Sequence, residues 1–337
     1  MPRPRSQQVS LESTPYYHCI SRCVRRAFLC GQDHFSGRSF EHRKAWVVER
    51  LAELGDAFTI DVCAYAVMSN HYHLVLRVDA DKALGWSVEE VAERWMKLFA
   101  GSPLVRNWLA GVMTGEAVEL RALEIIEGWR TKLHDLSWFM RCLNEHLARR
   151  ANHEDCCTGR FWEGRFKSQA LLDEAAVLSC MAYVDLNPIR AGAADLPESS
   201  HYTSVQQRIV EQPDTARTKQ ADTSRRPKLL PFVDASNLEQ ADSGAICDYR
   251  LMDYLELVDW TGRALREDKR GAIQGAAPAV LVRLGVDADT WLKHMRPRRN
   301  RMLAAVGAMD KLRAYVAATG RRWLVDKQAA AALSPGC

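Results

Sequence analysis

Two apolar runs that meet at Ser69-Asn70 constrain the fold of this chain more than any other feature. Residues 57–67 and 71–78 are rich in β-forming side chains, and the polar pair between them has turn chemistry, so the segment reads as a tight hairpin. Side chains two apart on a strand share a face. His71 and His73 therefore stand side by side, while Tyr72, Leu74, Leu76 and Val78 point the other way, into a core. Two neutral imidazoles so placed are half of a metal site. Two half-exposed histidines on an ordinary strand fit the same spacing.

Residues 173–187 read as a helix with Asp173 as its N-cap. Val177, Cys180, Met181 and Val184 recur at helical spacing and make one apolar stripe. Tyr183 and Asn187 lie beside that stripe and are four apart, so both project from one side. Pro188 disfavours helical geometry at the residue before it, which ends the helix at Asn187. A phenol and an amide are thus presented together at a helix end. Taken alone, the pair is more simply a satisfied surface hydrogen bond.

The remaining pattern predicts a strand over 16–24 and an amphipathic helix over 39–55, whose inner face is Ala45, Val48, Leu51 and Leu54. Helices follow at 87–100, 117–133 and 135–151, then a strand at 166–172 that leads into the Tyr183 helix. This order suits an α+β fold, an antiparallel sheet covered by helices. Residues 211–228 contain no Leu, Ile, Val, Met or aromatic side chain and read as a linker. Beyond it, 245–265, 278–284, 288–295 and 299–319 have helical patterns, giving residues 229–337 the character of a C-terminal helical module. No internal repeat is present.

At 337 residues the chain can hold two domains, and its net charge of +4 does not by itself announce a nucleic-acid partner. No apolar run is long enough to span a membrane, and residues 1–14 lack an apolar signal core, so a cytoplasmic location is expected. Ten cysteines without a CxxC pair point to free, mostly buried thiols and away from structural zinc.

Four blocks, taken together and in order, resemble the single-tyrosine HUH transposases, whose name denotes His-hydrophobe-His, and most closely their REP-associated branch. The blocks are Tyr17-His18-Cys19-Ile20-Ser21-Arg22, Met68-Ser69-Asn70-His71-Tyr72-His73-Leu74, Gly159-Arg160-Phe161-Trp162-Glu163-Gly164-Arg165-Phe166-Lys167-Ser168, and Tyr183-Val184-Asp185-Leu186-Asn187-Pro188-Ile189-Arg190-Ala191-Gly192. The resemblance spans residues 14–205. It implies a ferredoxin-like antiparallel sheet with helices, and a catalytic domain over 1–210. Residues 84–132 look like an insertion relative to compact members, and the region beyond 210 like an extension.

The same resemblance implies that His71, His73 and Asn187 hold one divalent ion, Mg²⁺ or Mn²⁺, and that Tyr183 is the nucleophile. The partner implied is single-stranded, hairpin-forming repeat DNA, cleaved and rejoined through a covalent 5′-phosphotyrosine. Arg22, Arg160, Trp162, Arg165, Lys167 and Arg190 belong to the matched blocks and are the implied DNA contacts. A monomer and a homodimer are both compatible with these motifs.

The chemistry is coherent. Three protein ligands leave positions open for oxygens of the scissile phosphate. Hard oxygens favour Mg²⁺ and imidazoles favour Mn²⁺, whereas Zn²⁺ lacks a thiolate or third imidazole at matching spacing. A free phenol ionises at about 10, so the nucleophile must shed its proton during attack. No dedicated base is evident; His18 is a candidate, although a histidine at the core edge is the simpler account. Arg160, Arg165 and Lys167 interleave with Phe161, Trp162 and Phe166, which suits phosphate contacts with base stacking, or else a turn whose aromatics are core. Lys293, Arg296, Arg298, Arg299 and Arg301 form a basic run broken by Pro297, either a solvated face or a phosphate track. Arg77 shares the histidine face and could equally pair with a carboxylate.

Three other readings compete. A rolling-circle initiator or relaxase shares the histidine strand, but no helicase region is recognisable. A non-cleaving DNA-binding regulator would have no use for the full set His71, His73, Tyr183 and Asn187. A small-molecule metallohydrolase requires a third His or Asp ligand and leaves Tyr183 idle.

Overall fold

The computed structural model describes residues 4–24, 29–33, 37–211, 225–233, 246, 249–265, 277–295, 302–321 and 330–331. Arg296, Arg298, Arg299 and Arg301, most of the expected linker, and Cys247 and Cys337 lie outside the described residues.

Strands β2 (Ile60–Val67) and β3 (His71–Val78) form the hairpin, with the Met68 N–H donating to the His71 carbonyl at 2.8 Å across the turn. Strand β1 (Tyr16–Arg22) pairs antiparallel with β3 on one side and with β4 (Lys167–Leu171) on the other. A fifth strand, β5 (Ala305–Val306), runs parallel to β4, so the order is β2-β3-β1-β4-β5. The sheet is therefore mixed, not wholly antiparallel as expected. The 299–319 segment, expected to be helical, is so over Met309–Ala318, but Ala305–Val306 form this strand, and two residues offer no alternation that could have marked it.

Helices α1 (Arg43–Ala57) and α6 (Leu136–Glu154), together with the four between β3 and α6, share a core with Tyr17, Cys19, Tyr72, Leu74 and Leu76. Those four are α2 (Ala80–Leu84), α3 (Val88–Met96), α4 (Pro103–Leu109) and α5 (Glu116–Leu133). They are tied in by Trp95 stacked on Trp129 at 5.3 Å, and by buried Arg130 donating to the Ala83 and Trp86 carbonyls at 2.7 Å each. On α1, Val47 takes the place expected of Ala45 on the inner face, because at 100° per residue it is Val47 that lines up with Val48, Leu51 and Leu54, and Ala45 is only half-buried.

Helix α7 (Glu174–Asp185) crosses the opposite face, where Cys63, Ala64, Ala66 and Val75 leave room for close approach. Asp173 caps it, accepting from the Ala176 N–H at 2.8 Å. Short α8 (Asn187–Arg190) and α9 (Ser204–Val210) follow. Next come α10 (Leu251–Leu265), α11 (Ala279–Leu284), α12 (Ala288–Met295) and α13 (Met309–Ala318). Because α10 and α12 pack on α7, that helix is buried on nearly all sides: Leu178 and Ala182 are as enclosed as the stripe of Val177, Cys180, Met181 and Val184. Among the described residues, no helix is long and apolar enough to cross a membrane.

Candidate active site

Strand register builds the floor of the site. Ile20 lies opposite His73 and Arg22 opposite His71, while His18 lies opposite Gln169 of β4. Alternation then sends His18, His71 and His73 to the α7 face, and the rings of His71 and His73 stand 4.9 Å apart. His18 stacks against His73 with ring centroids at 5.2 Å, and its Nε2 lies 2.9 Å from Nδ1 of His73.

The roof comes from α7 and α8. The Tyr183 ring is 6.0 Å from His73 and 6.3 Å from His18. Arg190, seven residues on, places its guanidinium carbon 4.1 Å over the Tyr183 ring. Asn187 is buried and its Nδ2 has no hydrogen-bond partner; the Nε and Nη1 of Arg190 are likewise buried and unpartnered. Helix α7 ends at Asp185, short of the expected Asn187, and Asn187 opens a second short helix with Pro188 in its first turn, where a proline is tolerated, so Pro188 does not keep Asn187 out of helical geometry.

Burial pushes the imidazoles of His18 and His71 down to about 4, and Arg22 adds to the effect at His71. His73 is held well below the usual histidine range by burial first, and then by its neighbours His18, His71, Arg190 and Arg22. All three rings are thus neutral near pH 7, the state in which an imidazole can donate a lone pair to a metal. Nδ1 of His71 lies 2.6 Å from Asn70 Oδ1, and Nδ1 of His73 faces His18. Both rings therefore keep Nε2 free, as ligating histidines do when their other nitrogen is engaged. Among the described residues no three His, Cys, Asp or Glu side chains group to hold a metal. These residues fit a divalent cation only if a third protein ligand comes from outside that set; the candidate is the oxygen of the buried Asn187 amide, whose unpartnered Nδ2 is a donor and not itself a ligand.

The remaining expectations divide. Arg22, Arg160, Arg165 and Lys167 are exposed. Trp162 bridges to Cys23 just past β1, which brings the 159–168 block to the end of the sheet where Arg22 meets His71. Phe161 and Phe166 are buried, so the rings expected to alternate with those cations belong to the core. Trp162 is half-buried, donating from Nε1 to the Asn144 carbonyl at 2.8 Å with its ring edge-on to Tyr72. Arg77 takes the carboxylate alternative, with Asp61 at 3.5 Å and Asp79 at 3.4 Å. Since Nε2 of His18 is committed to His73, that ring orients a neighbour and is not placed as a free base. Gln169 was missed altogether: nothing in Lys-Ser-Gln-Ala-Leu marks it, and only the β1–β4 register puts it opposite His18.

No protein-family model matches the sequence, and no curated protein matches it either. A solved structure of a REP-associated tyrosine transposase bound to a REP hairpin is similar over 68% of this chain and 99% of that one. Its TM-score is 0.35 and its sequence identity 11%, a distant likeness that assigns neither a family nor an activity.

Proposed function

We propose that this chain cleaves and rejoins single-stranded, hairpin-forming DNA through a covalent link to Tyr183. The observation that carries the reading is one convergence: the Tyr183 ring lies 6.0 Å from His73, beside the His71–His73 pair and beneath Arg190. The order β2-β3-β1-β4 with antiparallel neighbours throughout, and α1 and α6 in one core with that sheet, supports a ferredoxin-like HUH arrangement. In this reading residues 1–210 are the catalytic domain with 84–132 as an insertion, 211–228 connect, and 229–337 extend it.

His71, His73 and Asn187 would hold Mg²⁺ or Mn²⁺, which when bound polarises the phosphate as a Lewis acid. The Tyr183 oxygen forms the new bond to phosphorus as the bond to the 3′ oxygen breaks. That electron pair leaves on the 3′ oxygen, which takes up a proton, and the phenolic proton passes to solvent. The phosphotyrosine conserves the bond energy, so attack by a 3′-hydroxyl reverses the step and rejoins strands. Arg190 is suited to the charge that develops, because its buried Nε and Nη1 are donors still without an acceptor.

The test is incubation with a labelled pool of hairpin-forming oligonucleotides and Mn²⁺, followed by denaturing electrophoresis. A covalent protein–DNA adduct is expected, lost in Tyr183→Phe and lost with chelator. Binding without an adduct in wild type and variant alike would overturn the proposal and leave a non-cleaving DNA-binding protein.

A further inference from the structure

We infer that Tyr254 is a positioning residue for Tyr183, and that α10 braces the break between α7 and α8 from which the roof of the site hangs. The inference deepens the proposed function and rests on Tyr183 being the nucleophile.

The roof is made of two helices. Tyr183 lies before the break at Leu186, whereas Asn187 and Arg190 lie after it. Pro188 has no N–H to carry the hydrogen-bond ladder across, so the angle of the break is set by what packs around it. The first anchor is Asp185, the last residue of α7, which is fully buried. Its Oδ1 accepts from the Ser204 hydroxyl and from the Val205 N–H at 2.9 Å, both on α9. Its Oδ2 accepts from the Tyr254 hydroxyl of α10 at 2.6 Å.

The second anchor is packing on the far side of the break. A Cβ at Gly262 of α10 would lie 3.2 Å from Leu186 Cδ2 and 3.7 Å from Ile189 Cδ1. Glycine there lets α10 come close to the residues beside Asn187 and Arg190. Tyr254, Leu257, Val258, Thr261 and Gly262 are all buried at helical spacing, so one face of α10 carries both anchors. That face is held in turn. Tyr254 stacks on Phe232 at 4.9 Å, and Trp291 of α12 donates from Nε1 to the Thr261 hydroxyl at 2.9 Å. A carboxyl buried at a helix C-terminus is a poor choice for stability alone, because it sits away from water at the negative end of the helix dipole. What three donors around it supply is a fixed direction for the residues on either side.

Two measurements on the full chain test this. Tyr254→Phe removes one donor and keeps the ring. Gly262→Ala sets a methyl against Leu186 while favouring the helix, so it need not lower stability. Hydrogen exchange should quicken in both variants at the Arg190 and Ala191 amides, which donate to the Leu186 and Asn187 carbonyls. In single-turnover reactions with a saturating pool of hairpin-forming oligonucleotides, the rate constant for adduct formation should fall about 10-fold, since a displacement of about 1 Å costs about 100-fold. Final amplitude and the DNA concentration at half-saturation should stay at wild-type values. A variant that had merely lost part of its fold would lower the amplitude and leave the rate constant alone. Should Tyr254→Phe fail to fold, Gly262→Ala carries the comparison. Wild-type rate constants, a loss of amplitude alone, or unchanged exchange at both amides overturns the positioning role. No adduct from wild type, with exchange quickened in the variants, overturns the Tyr183 reading instead and leaves α10 as a brace of the break.

Discussion

Arg190 lies over the face of Tyr183, 4.1 Å from guanidinium carbon to ring centroid, with two of its nitrogens buried and unpaired. Such donors destabilise a fold by about 1–3 kcal/mol each unless an acceptor arrives. Arg190→Met keeps the stem and removes the unpaired donors. Thermal stability of the variant should stay level or rise, while the rate of adduct formation falls by about 100-fold, the cost of losing one donor to developing charge. An adduct rate within threefold of wild type would exclude Arg190 from contact with the phosphate.

Asn144 ties the sheet to α6. Its Oδ1 accepts from the Tyr72 hydroxyl at 2.7 Å and its Nδ2 donates to the Ser21 hydroxyl at 3.0 Å. Asn144→Leu strands the buried Tyr72 hydroxyl, and should lower stability in urea by about 2 kcal/mol. Adding Tyr72→Phe should recover part of that loss, since it removes the stranded group. A double variant as unstable as the sum of its singles would show that the two side chains are not coupled.

Asp185 is buried where α7 ends, accepting from the Val205 N–H at 2.9 Å and from the Tyr254 hydroxyl at 2.6 Å. Burial pushes its carboxyl up to about 6, partly offset by those bonds and Arg208. Because the folded value is raised, the folded state binds the proton more tightly than the unfolded chain does. The favourable contribution is full below pH 4 and is lost as pH rises towards 6, amounting to about 3 kcal/mol across the window. Asp185→Asn should flatten stability against pH between those values. A variant with the wild-type slope would move the titrating group elsewhere.

Gly307 has φ at +151°, and a Cβ there would come within 2.7 Å of Leu172 Cβ and 2.9 Å of Asp173 Oδ2. That carboxylate oxygen already accepts from the Ala308 N–H at 2.6 Å. Gly307→Ala should therefore displace β5 from β4 and cost about 1–3 kcal/mol, as strained backbone sites do. Hydrogen exchange should quicken at Ala170 and Leu172, whose amides donate to Ala304 and Val306. Unchanged protection at both amides would mean the strand tolerates the methyl.

The sequence foreshadowed this site unevenly, for physical reasons. The hairpin was legible because period-two alternation and turn chemistry are local, and they put His71 beside His73 without tertiary knowledge. Helix α7 was legible from its stripe and the Asp173 cap, yet its near-complete burial was not, because α10 and α12 come from far along the chain. Phe161 and Phe166 looked like bases' partners since alternation of rings and cations says nothing of which side is solvent. His18 looked inert, because its contact with His73 arises only through register with a strand distant in sequence.

The parallel pairing of β5 with β4 bears on how the protein can be cut down for experiments. A fragment stopping after α9 would leave the outer rim of β4 with open backbone donors and acceptors, an invitation to self-association. Trimming the chain to residues 1–210 would then yield a sticky particle, so the tail travels with the sheet as its built-in shield against aggregation.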